Sequence, residues 1–310
     1  MTKCLVLGGG FLGSHVAVGL LAAGHPVTLY SRSFNDWLDG PELVGRERIR
    51  RVQGILPPGE GLAELVDAAE VVFFLGGSST PTMAGTDPGG SIMASVVPAT
   101  ALLDLMRETS TRRVVLASSG GAVYGVVNQL PTPEDHPTEP ISIHGHNSLT
   151  VERYAMFYAR RYGFEPVILR YANPYGPGQL ARRGQGVIAA WCDALAHGRG
   201  ISVYGDPATR RDLLYVDDAA AATVAAGFDA DPGTYNVGSG CSFSLDELAG
   251  RLQRISGREA PIERLPHRGV DVPATQLDCS LLRAQTGWEP VTGLDDGLRA
   301  SWEWARGRAR

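Results

Sequence analysis

The stretch from Lys3 to Gly13, Lys-Cys-Leu-Val-Leu-Gly-Gly-Gly-Phe-Leu-Gly, constrains this chain more than any other. Leu5-Val6-Leu7 is a continuous apolar run, as expected of a parallel strand buried on both faces. From Ser14 to Leu21 the apolar residues take helical spacing. Between the two, Gly8, Gly10 and Gly13 fit G-x-G-x-x-G in the strand–turn–helix setting that gives the pattern its meaning. Gly8 allows the tight turn, Gly10 lets the backbone approach a pyrophosphate, and Gly13 lets the helix pack on the strand. The helix start offers unpaired N–H groups and partial positive charge to phosphate, and Phe11 and Leu12 of the turn join the cofactor-binding set with the glycines. This predicts a parallel α/β sheet that binds a dinucleotide.

The end of the second strand, Pro26 to Tyr30, bears on which dinucleotide. An acidic residue there would take the ribose 2′-OH of NAD. This chain has Ser31-Arg32-Ser33 instead. A guanidinium flanked by hydroxyls suits a 2′-phosphate, because arginine grips phosphate as a planar fork. NADP is therefore favoured over NAD, although Asp36 or Asp39 could fold back to serve NAD. Leu62 to Ala69 reads as a short helix. Val71 to Leu75 reads as another buried strand, running into Gly76-Gly77-Ser78-Ser79, where small residues let a ligand approach the backbone. A polar loop is expected from Thr82 to Ser91, then an amphipathic helix from Pro98 to Glu108 with its proline near the start. The strand Arg113 to Ala117 delivers Ser118-Ser119-Gly120-Gly121-Ala122-Val123-Tyr124-Gly125. A proline- and acid-rich loop follows, then a helix from about Leu149 to Tyr162 and a strand Val167 to Arg170. The alternation predicts a doubly wound sheet covered on both faces.

A net charge of −5 gives no basic footprint, so nucleic acid is not an expected partner. No uninterrupted apolar run approaches the roughly 18 residues of a bilayer span, and a strand so near the N-terminus leaves no room for a signal peptide. Cys4, Cys192, Cys241 and Cys279 are far apart and form no C-x-x-C pair. Free thiols, a cytoplasmic location and no metal site are the expectation.

Further motifs resemble those of the extended short-chain dehydrogenase/reductases of nucleotide-sugar epimerase/dehydratase type. They are Gly-Phe-Leu-Gly-Ser-His (10–15), Ser-Ser-Gly-Gly-Ala-Val-Tyr-Gly (118–125), Leu-Arg-Tyr-Ala-Asn-Pro-Tyr-Gly-Pro-Gly-Gln (169–179) and Arg-Arg-Asp-Leu-Leu-Tyr-Val-Asp-Asp (210–218). Tyr-Asn-Val-Gly-Ser-Gly (235–240), Arg268-x-x-Asp271-Val-Pro273 and Gly-Trp-Glu-Pro (287–290) continue the series in order. The resemblance implies a Rossmann domain over residues 1–170, with a return of the chain around 205–237, and a smaller, mainly sugar-nucleotide-binding domain over 171–310. It also implies a nucleoside-diphosphate sugar as ligand and a homodimer formed through a helix pair. Carried over, Asn173 would bond the diphosphate, Arg211 and Arg268 would clamp it, and Tyr204 would pack on the base. Ser79 and Val187 join the substrate side; Leu75, Gly76, Gly77, Ser118 and Tyr171 join the cofactor side with the glycine turn, Ser31 and Arg32. Arg211 could instead pair with Asp212 or Asp217.

The departures from that family are informative. Its Y-x-x-x-K pair puts a phenol and an ammonium on one helix face, where the cation lowers the phenol's pKa. Here the frame Pro140-x-Ser142-x-His144-Gly145-x-x-Ser148-x-x-x-Glu152 holds histidine for tyrosine and serine for lysine. Lys3 is the only lysine in the chain. The usual catalytic hydroxyl position is Gly120, and the acid pair of dehydratases falls at Gly121-Ala122, so elimination of water by that route is not expected. Histidine, with an ordinary pKa near 6.5, needs no lysine to work near neutrality. The candidate catalytic residues are therefore His144, Ser119 and Tyr124. The expected activity is NAD(P)-dependent epimerisation at carbon 4 of a nucleoside-diphosphate hexose. The alternatives are NADPH-linked reduction of a 4-keto sugar, or a binding protein without catalysis.

Overall fold

A computed structural model describes residues 1–40, 43, 45–56, 61–77, 85–181, 186–267, 269 and 271–309. The strands are β1 (Cys4–Leu7), β2 (Val27–Ser31), β3 (Arg50–Gln53), β4 (Val71–Phe74), β5 (Arg113–Ser119), β6 (Glu165–Tyr171), β7 (Asn173–Tyr175), β8 (Ile201–Tyr204), β9 (Arg210–Tyr215), β10 (Gly233–Val237), β11 (Ser242–Ser244) and β12 (Ile262–Leu265). The helices are α1 (Phe11–Ala22), α2 (Leu62–Asp67), α3 (Pro88–Met106), α4 (Gly120–Val123), α5 (Ile143–Tyr162), α6 (Val187–Ala196), α7 (Val216–Asp229), α8 (Leu245–Ser256), α9 (Ser280–Thr286) and α10 (Leu294–Arg308).

Seven strands form one parallel sheet in the order β10-β6-β5-β4-β1-β2-β3. Successive side chains on a strand point to opposite faces, and the core divides accordingly. Cys4 and Val6 of β1 join one buried cluster, with Val16 and Leu20 of α1 and Ala219 and Ala222 of α7. Leu5 and Leu7 join the other, with Val66 of α2, Leu102 and Met106 of α3 and Val151 of α5. The central strands β1 and β4 are thus apolar throughout because both their faces are covered, whereas the edge strand β3 is Arg-Arg-Val-Gln. A three-stranded sheet (β11-β9-β7), the pair β12-β8, and helices α6, α8 and α10 make a third cluster around Trp191, Leu248 and Trp302. The return of the chain to the large sheet begins with α7 at Val216; β9, inside the span 205–237, pairs in the smaller sheet instead.

Two helix starts differ from the sequence reading. α3 begins at Pro88, so the tail of the expected Thr82–Ser91 loop is helical and Pro98 lies inside the helix. Asp87 caps it by accepting the Gly90 N–H at 2.9 Å, with Pro88 at the first helical position, where a missing N–H costs nothing. Pro98 does remove an interior rung, but Ala99, Leu102, Leu103 and Met106 beyond it are fully buried and hold the helix down. α3 also has the length and composition of a membrane span, with mean hydropathy 1.4, a feature no uninterrupted run in the sequence announced. α5 begins at Ile143, six residues before the expected Leu149, because Ser142 accepts the Gly145 N–H at 3.1 Å and starts it there.

Candidate active site

The carboxyl ends of β1, β4 and β5 open into a cavity of about 470 Å³ shared with the elements after β6. Ligands of open parallel sheets bind at this edge. Gly8 has φ of +118°, and a Cβ there would lie 2.7 Å from the Gly76 nitrogen, so this turn and the one after β4 need bare backbone. A Cβ on Gly13 would run into the Gly8 carbonyl, which is the close helix–strand approach expected of the third glycine. Among the described residues nothing lies within 4 Å of a Cβ built on Gly10, and that residue caps α1 without a side-chain oxygen. Bare helix-start N–H groups beside open space fit a pyrophosphate. Phe11, Leu12, Leu75, Gly76, Gly77, Ser118 and Tyr171 line the same cavity. Tyr171 does so with its hydroxyl bonded to Thr223 at 2.6 Å.

Ser31 and Arg32 follow at the tip of β2, outside that lining. Arg32 is exposed, and among the described residues its guanidinium has no ion pair or hydrogen bond. Asp36 and Asp39 are each paired elsewhere, with Arg308 and Arg51 at 2.7 and 2.8 Å.

On the opposite side, Asn173, Val187, Tyr204 and Arg211 all line the cavity. Asn173 donates from its amide to the Asp212 carbonyl at 2.9 Å, which fixes the side chain. Arg211 pairs with neither Asp212 nor Asp217. It donates to the Val272 carbonyl at 2.8 Å and lies 3.5 Å from an Asp271 carboxylate oxygen. Asp212 is instead fully buried, accepting from Ser239 and from the Leu277 N–H, while Asp217 bonds His15 at 2.6 Å. Ser79 and Arg268 lie outside the described residues.

His144 and Ser119 line the cavity; Tyr124 does not. His144 sits in the first turn of α5, partly buried, and its ring makes no hydrogen bond among the described residues. Burial alone pulls its pKa below the ordinary 6.5, because the imidazolium would lose solvation there. Tyr124 is a correction to the candidate catalytic set. Its side chain is buried behind the wall; the hydroxyl donates to Asn236 at 2.7 Å and accepts from Arg170 at 2.9 Å, and burial pushes its phenol up. It belongs to a network that sequence reading missed. Arg170 also grips Glu152 through two nitrogens, one at 2.7 Å, and Ser118 donates to the same carboxylate. A tyrosine followed by glycine gives no sign, in sequence, of which way its hydroxyl turns.

At Gly120 the cavity is closed. A Cβ there would come within 2.6 Å of Leu277 Cδ1 and 3.0 Å of the Arg170 carbonyl. Leu277, nearly fully buried, fills the space a hydroxyl-bearing side chain would need. Ser95, Asn147 and Thr275 also line the cavity without having been singled out in sequence. Asn147 is tied to Ser91 across the α3–α5 contact at 2.9 Å. The signal was available only once α5 is started at Ser142, which puts Asn147 one turn from His144.

A seven-stranded parallel sheet with a glycine turn at its carboxyl edge, facing an arginine and an asparagine across a cavity, defines a dinucleotide-binding enzyme fold with a second ligand site. The chain belongs to the NAD dependent epimerase/dehydratase family, whose pattern matches residues 4–238. It is 31% identical to the UDP-glucose 4-epimerase of Mycolicibacterium smegmatis over 99% of this chain and 100% of that one. Among solved structures, the UDP-glucose 4-epimerase of Thermotoga maritima with UDP-glucose superimposes with a TM-score of 0.90, at 28% identity, over 99% of this chain and 100% of the other. That of Thermus thermophilus with NAD gives 0.88 at 28% identity over 98% and 99%.

Proposed function

We propose that the protein is a nucleotide-sugar 4-epimerase in which His144 carries the proton. The observation behind this reading is the histidine itself: a cavity-lining imidazole kept neutral by burial, with both ring nitrogens uncommitted among the described residues. A bound nicotinamide supplies hydride acceptance and return. His144 takes the proton of the sugar hydroxyl as its carbon is oxidised, and gives it back when the carbon is reduced from the other face. Asn173, Arg211 and Arg268 hold the diphosphate, Tyr204 covers the base, and Ser79 and Val187 flank the sugar. Ser119 is the hydroxyl nearest to the position usually occupied by a catalytic serine. The dinucleotide half is residues 1–170 with α7 and β10, and the sugar half is most of 171–310.

Arg32 supports NADP over NAD, since its guanidinium is unengaged among the described residues while both nearby aspartates are paired. NADP(H) should bind at least several-fold tighter than NAD(H), and Arg32→Ala should erase the difference, one charge-assisted contact being worth about 1.5–3 kcal/mol. Calorimetry giving equal or tighter NAD binding would remove NADP from this reading. The same free arginine is what favours a second reading, NADPH-linked reduction of a 4-keto sugar. The exposed Ile92, Met93, Tyr154 and Phe157 on the neighbouring helices α3 and α5 suit a homodimer contact. The deciding experiment is mass spectrometry of co-purified nucleotides, followed by turnover of a nucleotide-sugar panel. Interconversion of C4 epimers supports the proposal. Net reduction of a 4-keto sugar, or tight binding with no turnover, rejects it.

A further inference from the structure

Three serines on three different elements line one side of the cavity: Ser95 on α3, Ser118 on β5 and Ser148 on α5. α5 packs on both α3 and β5, so these residues come from adjoining elements. A serine hydroxyl has one proton to give, and each of the three gives it to the protein. Ser95 donates to the Ser91 carbonyl at 2.6 Å, Ser148 donates to the His144 carbonyl at 3.0 Å, and Ser118 donates to the Glu152 carboxylate. The direction of each bond is fixed by its acceptor. A carbonyl has no proton to offer, and the Glu152 carboxylate is gripped by the Arg170 guanidinium. What the three serines turn towards a ligand is lone pairs alone.

This is a property of these three hydroxyls and not of the whole cavity, which His144, Asn147 and Ser142 also line from α5 and its cap with protons of their own to give. Ser119 has no hydrogen-bond partner for its hydroxyl among the described residues and keeps its proton. Arg211 stands on the opposite side, among the elements after β6. Arg170, behind the serine wall, is spent on Glu152 and Tyr124. An anionic group placed against the wall would meet lone pairs, and a carbonyl would find no donor in the three serines. A group bearing several O–H donors matches it. We propose that Ser95, Ser118 and Ser148 form an acceptor-only wall that binds a vicinal diol of a sugar ring by taking its hydroxyl protons. The diol belongs to the nicotinamide-side ribose of the dinucleotide or to the hexose of the nucleotide sugar. The inference rests on the functional reading above, which supplies both ligands.

Titration calorimetry on the full chain separates the sources. One arm compares NADP⁺ with its analogue lacking the 2′-hydroxyl of the nicotinamide-side ribose. The other compares UDP-glucose with UDP-3-deoxyglucose, which has no vicinal diol left on its hexose. The ring that sits on the wall should lose about tenfold in affinity when deoxygenated, since a site built to accept a hydroxyl discriminates against its absence. In Ser95→Ala/Ser148→Ala the natural ligand should weaken while the deoxy analogue does not, so the gap closes. Ser148→Thr, which keeps the hydroxyl, should retain it. Deoxy analogues that bind as well as their parents in both arms would overturn the wall, and so would a gap that persists in the double alanine variant. Binding of no dinucleotide and no nucleotide sugar would overturn it together with the reading it rests on.

Discussion

His144 faces the cavity uncharged near neutrality because burial withdraws the water that would solvate its cation. If it is the proton carrier, the base form should be lost as pH falls through a value below 6.5, and turnover should fall with it. The sign for stability is the same. The unfolded chain binds this proton more readily, so the histidine's contribution is complete above its unfolded pKa and lost as pH falls through the folded one. His144→Phe keeps a ring without an ionisable nitrogen and should lower turnover about 10²-fold or more, with nucleotide-sugar affinity little changed. Equal turnover by the phenylalanine variant takes the histidine out of the mechanism. His144→Tyr should not restore activity, because Ser148 brings no charge to lower a phenol and its hydroxyl is bonded to the helix backbone. Arg211→Ala should weaken both a nucleotide sugar and the bare nucleoside diphosphate by roughly tenfold, the more so at low salt. Unchanged affinity for both, in a folded variant, would free Arg211 for a purely structural pairing with Asp271.

Helix α5 shows how far sequence pattern carried and where it stopped. Its apolar periodicity becomes visible at Leu149, and that part was legible. The turns before it, His144 to Ser148, are polar because they face a cavity and not the core, so no hydrophobic stripe marks them. They start from the cap at Ser142, whose side chain accepts the Gly145 N–H while its carbonyl accepts the His146 N–H. Ser142→Ala should cost about 1 kcal/mol of stability, read by thermal melting, and should disturb His144 more than the far end of the helix. α3 differs for the opposite reason: in sequence Pro98 reads as a helix start, and only the Asp87 cap shows that the helix begins ten residues earlier. Lower on α5, Glu152 is 4% exposed and Arg170 7%. Removing one partner strands a buried charge, so Glu152→Ala should destabilise by about 3–5 kcal/mol. A loss under 1 kcal/mol in chemical denaturation would mean that water reaches the pair.

At the scale of the molecule, the glycine turn, the strand alternation and the motifs spread along the chain were enough to read a doubly wound sheet and its ligand-binding edge. Which chemical groups converge there was legible only in part. The motif resemblance puts Asn173 and Arg211 at the ligand, but only the fold turns Tyr124 away from the edge and brings Ser95 in. The same scale decides assembly. Met93 and Phe157 are 61% and 47% exposed on packed neighbouring helices, an apolar face without cover in a single chain. If the proposed homodimer forms through this face, Met93→Glu/Phe157→Glu should leave a monomer in light scattering after size exclusion, with helicity retained. A mass unaffected by the pair of glutamates would move the contact elsewhere.

Leu277 packed against Gly120 makes the two positions interdependent. Gly120→Ser alone overfills the site, at about 1–3 kcal/mol. Leu277→Ala alone empties a packed one, at about 2–5 kcal/mol. Together they should compensate, with a coupling of about 0.5–3 kcal/mol. A hydroxyl therefore reaches this position at full stability only if both residues change, because each single substitution passes through a less stable protein.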